Sequence, residues 1–220
     1  MPDLPLRDSP TVIHGQPCVF EAADGFQLHG HLWTALGPPH TALLINPATG
    51  VAARYYSRYA AFLARSGFAV LTYDYRGIGA SRPKSLRGFR ATKHDWGALD
   101  CEAAIQFLSN SFPRLPMMAV CHSIGGFALG LAPSATKVHR ALFVGCQYAY
   151  WNDYRLLLRV PMWINWHIVM PVLTKLFGYF PGKTLRWLED LPAGVAMEWA
   201  TRFHPEFHKR YDRLSHAAKP

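Results

Sequence analysis

Carboxylates and cysteines are both scarce in this chain. Its 220 residues hold 14 Asp and Glu against 23 Lys and Arg, a formal net charge of +9. An excess of cations admits nucleic acid, anionic membrane or anionic small molecules as partners. No aromatic–basic RNA motif and no helix-turn-helix pattern accompanies it, so nucleic acid is not expected. The four cysteines, Cys18, Cys101, Cys121 and Cys146, form no C-x-x-C pair, which argues against a disulfide framework and for a reducing, cytoplasmic setting. Cys18, Cys121 and Cys146 fall in strand-like runs and Cys101 in a helical one, where a free thiol behaves as a small apolar group. Metal patterns are missing as well. His29 and His31 straddle Gly30 on one strand face without a third ligand, and His204 with His208 lacks the H-E-x-x-H pattern. No metal or organic cofactor is expected. Residues 1–10 carry neither an apolar core nor a basic lead, so they do not read as a secretory signal. The apolar run 156–173 is interrupted by Pro161 and Pro171 and carries Arg159, Asn165 and His167, which argues against a spanning helix.

What is present points to one turn. Met118-Ala119-Val120-Cys121-His122-Ser123-Ile124-Gly125-Gly126 is an apolar strand ending in a hydroxyl, followed by two glycines and a helix-like segment. This is the chemistry of a nucleophile elbow, in which a serine stands at a sharp strand-to-helix turn. Small residues are needed two before and two after the serine; Gly125 meets one requirement and Cys121 replaces the usual glycine at the other. The Ile124 N–H would face a developing oxyanion. Around this turn, buried strands (Thr41 to Asn46, Ala69 to Asp74, Met117 to Cys121, Ala141 to Cys146) alternate with helices (Arg54 to Ser66, Asp95 to Asn110, Ile124 to Leu131). That alternation predicts an α/β fold with a mostly parallel sheet flanked by helices. Ligands bind such sheets at the carboxyl ends of the strands, where Ser123 would lie.

On these residues the chain resembles the α/β-hydrolase superfamily, specifically its serine esterases and lipases, while Tyr179-Phe180-Pro181-Gly182 and Leu191-Pro192-Ala193-Gly194-Val195 look like a poorly characterised bacterial branch of it. Asp74-Tyr75-Arg76-Gly77-Ile78-Gly79-Ala80-Ser81 is similar to the D-x-R-G-x-G-x-S turn that precedes the elbow strand. Asn46-Pro47-Ala48-Thr49-Gly50 occupies the place of the oxyanion loop after the third strand, with Asn46 where histidine is common. The resemblance implies Ser123 as nucleophile, backbone N–H groups of Ile124 and Ala48 as the oxyanion hole, and Thr49 as fallback donor. The implied reaction is hydrolysis of a small-molecule ester or thioester with an apolar acyl group.

A serine hydrolase also needs a base and an acid, which this superfamily carries on later strands. No further clear strand-like run follows Cys146, so the resemblance implies that about two C-terminal strands, with acid and base, are absent. Residues 1–150 are expected to form the core, 151–200 a helical cap or lid, and 201–220 a truncated return to the core. His204, His208 and His216, with Asp190 and Asp212, are the residues left to supply a base and an acid, and His122 is placed in the pocket rather than as base. Trp163 and Trp166 would line an apolar acyl pocket under the lid. A weak membrane-surface contact, helped by Arg155, Arg159 and Lys175, is the competing use of the same segment. A catalytically impaired protein that binds an apolar ligand or a partner is the alternative function. The run from Arg76 to Lys93 holds six cations (Arg76, Arg82, Lys84, Arg87, Arg90, Lys93) and no acid. It reads as a solvated basic loop, or more sharply as a grip for an anionic group on the substrate.

Overall fold

The computed structural model describes residues 13–34, 37–146, 151 and 154–200. Six strands form one sheet in the order β1-β2-β4-β3-β5-β6. They are β1 (Gln16–Glu21), β2 (Gln27–Trp33), β3 (Thr41–Asn46), β4 (Phe68–Tyr73), β5 (Met117–His122) and β6 (Val138–Val144). The β1–β2 hairpin joins β4 antiparallel, whereas β4, β3, β5 and β6 run parallel. Every residue of β3 is buried, as a central strand covered on both faces must be.

Alternate residues of each strand feed opposite faces. Leu43, Ile45, Val70 and Val120 pack with Tyr56, Ala60, Leu63 and Ala64, placing helix α1 (Ser57–Arg65) and the 3-10 turn before it on one side. Leu44, Leu71, Tyr73, Ala119 and Cys121 face the other side, against one continuous helix over 93–111 and helix α4 (Gly125–Leu131). The continuous helix comprises α2 (Lys93–Asp95), a π-turn (Trp96–Cys101) and α3 (Glu102–Ser111). Thr92 starts it with a capping box: its hydroxyl accepts the Asp95 N–H and the Asp95 carboxylate accepts the Thr92 N–H.

Beyond β6 lie α5 (Leu156–Ile164), a π-turn (Asn165–Val169) and α6 (Met170–Phe177), joined as one 22-residue helix. Pro161 and Pro171 do not break it, contrary to the sequence reading. The π-turn directly precedes Pro171, and its looser coil relieves the clash of the proline ring with the carbonyl four residues back. A hairpin of two-residue strands, β7 (Tyr179–Phe180) and β8 (Leu191–Pro192), and helix α7 (Ala193–Ala200) complete this region. The sequence reading had no strand after Cys146, because two-residue strands carry no period to read. Cys146 lies past the end of β6 rather than in a strand. His204, His208, Asp212 and His216 lie outside the described residues.

Candidate active site

β5 ends at His122, and the chain turns sharply at Ser123 before α4 begins at Gly125. Ser123 has φ +53°, in the left-handed region that residues with a side chain rarely adopt. Such strain costs about 1–3 kcal/mol, persists only where the surroundings enforce it, and clusters at functional sites. The enforcement is visible. Ser123 N–H donates to Val144 O at 3.0 Å, and its carbonyl accepts the Gly126 N–H at 3.3 Å. A Cβ on Gly125 would lie 2.5 Å from the Asn46 carbonyl oxygen, so the turn rests directly on the end of β3. The half-buried Ser123 hydroxyl has no hydrogen-bond partner in the protein among the described residues.

Asn46 is the hub beneath this turn. Its side chain is fully buried; Nδ2 donates to Gly125 O at 3.3 Å, and Oδ1 accepts the Tyr73 hydroxyl at 2.8 Å. Nδ2 also contacts the thiols of Cys101 and Cys121 at 3.4 and 3.7 Å. One amide thus ties β3, β4, β5, α4 and the π-turn together. Burial pushes the Cys101 and Cys121 thiols up to about 12, with the Asn46 amide opposing, so neither is a nucleophile near neutral pH. Cys121 is the small side chain that the position two before the serine requires.

The loop after β3 holds Ala48 and Thr49, both buried. Ala48 N–H, expected to face an oxyanion, donates instead to the Tyr56 hydroxyl oxygen at 2.9 Å. That oxygen lies 2.9 Å from His122 Nδ1. Because the oxygen accepts from Ala48 and burial pushes the phenol up to about 12, its own proton is free to bond Nδ1. Tyr56 therefore bridges the loop after β3 and the residue before Ser123. The sequence reading missed it: its partners come from three separated segments, and no local pattern marks it. His122 is committed to this bridge. The flanking Ile124 N–H stands at the first turn of α4, and Ile124 itself is buried.

The D-x-R-G-x-G-x-S segment holds the fold beside the site. Asp74 accepts the Ala53 N–H at 2.6 Å and the Ala80 N–H at 2.9 Å, while burial raises its carboxyl. Gly79, at φ +50°, passes against this carboxylate where a Cβ has no room. Ser81 donates to Asp74 O and accepts the His29 N–H. Arg76 is buried, with Nε 2.6 Å from Asp100 and Nη1 2.5 Å from Asp24. Arg82 pairs with Asp190 at 2.6 Å, Arg87 Nε donates to Phe177 O, and Lys93 is buried with its ammonium over the Trp199 ring. Neither the solvated loop nor the anion grip holds for Arg76, Arg82 and Lys93, which are spent on internal ties, whereas Arg87 stays exposed. Asp190, a candidate acid, is likewise held by Arg82 and by the Lys183 N–H.

In the helical region Trp166 is buried against Tyr154 and Trp199, whereas Trp163 lies half-exposed beside His167. His29 and His31 share one face of β2, and no group of three metal-ligating side chains occurs among the described residues.

A model of the family described as serine aminopeptidase, S33, matches residues 37–213. No curated protein matches the sequence significantly. Among solved structures, a hypothetical protein from Pseudomonas aeruginosa aligns with TM-score 0.59 at 15% identity, over 99% of this chain and 88% of its own. Brefeldin A esterase, a bacterial homologue of human hormone-sensitive lipase, aligns with TM-score 0.55 at 15% identity, over 97% and 58%. A Pyrococcus furiosus esterase aligns with TM-score 0.44 at 21% identity, over 53% of this chain. The chain spans 45% of the length of that esterase. At these identities the likeness shows the fold, which is the mostly parallel α/β sheet expected from the sequence.

Proposed function

The chain belongs to the serine aminopeptidase S33 family of α/β-hydrolase-fold proteins, and from that premise we propose that it is a serine hydrolase of small esters or thioesters with an apolar acyl group. The observation that carries this reading is Ser123 at φ +53°, lifted out of the end of β5. In the proposed reaction Ser123 Oγ attacks the acyl carbonyl carbon, its proton passes to a base and on to the departing alcohol or thiol, and water then cleaves the acyl-serine to release the acid. The carbonyl oxygen takes up the negative charge, and the Ile124 N–H stabilises it. The Ala48 N–H joins once the incoming oxyanion, the stronger acceptor, displaces the Tyr56 phenol. Thr49 N–H is the fallback donor. The helix Leu156–Phe177, anchored through the buried Trp166 and carrying the half-exposed Trp163, serves as an apolar lid over the acyl group. The esterase neighbours favour an ester over a peptide bond as the substrate.

The second reading is a hydrolase-fold protein that binds an apolar ligand or partner without efficient turnover. One observation favours it: among the described residues no histidine is hydrogen-bonded to Ser123, and the adjacent His122 is engaged by Tyr56. Hydrolysis of p-nitrophenyl esters of increasing acyl length separates the two. The enzyme reading expects turnover that rises with acyl length and is lost in Ser123→Ala. Acyl-chain binding without turnover in either protein establishes the second reading.

A further inference from the structure

The 22-residue helix Leu156–Phe177 has two apolar faces instead of one. Trp166, Met170 and Thr174, at successive i+4 positions, are 5%, 2% and 3% exposed and anchor the helix to α7 and the core. Two residues away, roughly 200° around the helix, Ile164, Ile168, Val172 and Leu176 continue a second stripe that begins at Leu156 and Val160. Every member of that stripe is exposed, and Leu157 beside it is 90% exposed. A surface helix of a water-soluble domain normally turns polar residues outward. Here the outward face is an apolar strip along the helix length, about 33 Å at 1.5 Å per residue.

Charge says what covers it. Residues 154–182 contain Arg155, Arg159 and Lys175 and not one Asp or Glu. Arg155 and Lys175 are exposed near the two ends of the stripe. Apolar side chains in the middle with cations at both ends match the boundary of an anionic bilayer: acyl chains below, phosphates at the rim. We propose that this helix is a membrane-surface element that seats the protein on anionic lipid. The helix lies in the interface plane rather than across the bilayer, because its opposite face is held in the protein. His167 Nδ1 bonds the Ala200 carbonyl at 2.7 Å, and Trp166 packs on Trp199, so crossing would tear α7 away. The inference does not rest on hydrolase activity.

Flotation of the full chain with phosphatidylcholine vesicles, with and without phosphatidylglycerol, tests it. Wild type is expected to float with the anionic vesicles, and less as salt rises. Leu157→Glu with Leu176→Glu, both at exposed sites, keeps the circular dichroism spectrum and weakens vesicle binding about tenfold or more. Arg155→Gln with Lys175→Gln lowers binding to anionic vesicles and flattens the salt dependence. Absence of flotation with anionic vesicles, or flotation of the Leu157→Glu/Leu176→Glu protein equal to wild type, overturns the proposal. So does a wild-type dimer, by light scattering, that the two glutamates turn into a monomer, since the stripe then belongs to a second copy of this chain.

Discussion

Ser123 carries backbone strain, and that strain is measurable apart from any activity. Glycine tolerates φ +53° whereas alanine does not, so Ser123→Gly should be more stable than Ser123→Ala by about 1 kcal/mol, the reverse of their usual order. Chemical denaturation of the two variants checks this. Tyr56 sets a second expectation. Tyr56→Phe releases the Ala48 N–H and leaves His122 Nδ1 without the phenol, at a stability loss of about 1 kcal/mol. If Ala48 is an oxyanion donor, acylation of Ser123 in that variant is at least as fast as in wild type, whereas loss of a true donor slows it about 10²-fold or more. The buried thiols supply a third. With Cys101 and Cys121 pushed up to about 12, both remain protonated at pH 8. Maleimide should modify them only after denaturation, as peptide mapping would show.

At the scale of elements, the elbow is a contact between β3, β5 and α4 as much as a turn. Gly125→Ala places a carbon against the Asn46 carbonyl and should cost about 1–3 kcal/mol by overpacking, read from the thermal midpoint. Which elements were legible follows from how each is buried. β3 and β5 were readable to within a residue because both of their faces are covered, leaving continuous apolar runs. β6 was placed at Ala141 to Cys146 but spans Val138–Val144, since the polar His139 and Arg140 break the apolar run near its start. The π-turn at Trp96–Cys101 adds part of a turn without any residue that announces it. The helix Leu156–Phe177 was read as interrupted, because proline is weighed by its usual cost and the relieving π-turn is invisible in sequence. The sharp turn at Ser123 and the close packing at Gly125 were legible from spacing alone. Asn46 was noticed as a departure from histidine, but its hub role needed partners from Tyr73, Cys101 and Gly125, which only the folded chain assembles.

For the molecule as a whole, buried charge ties the hairpin to the sheet and its helix. Arg76 joins Asp24 of the β1–β2 turn to Asp100 of the π-turn, while Trp96 Nε1 donates to the Arg76 carbonyl. Removing the cation leaves the fully buried Asp100 carboxyl, already pushed up to about 7 by burial, without its partner. Arg76→Met should therefore cost about 3–5 kcal/mol, far more than a surface pair, and urea denaturation reads it. The positive net charge is in part structural, since Arg76, Arg82 and Lys93 serve internal contacts. The proposal that Ser123 is a nucleophile is read by one experiment. After incubation with a fluorophosphonate, intact-mass spectrometry should show one adduct per chain, mapped to Ser123 and missing from Ser123→Ala. An unmodified wild-type chain, or an adduct that persists in Ser123→Ala, would contradict the account.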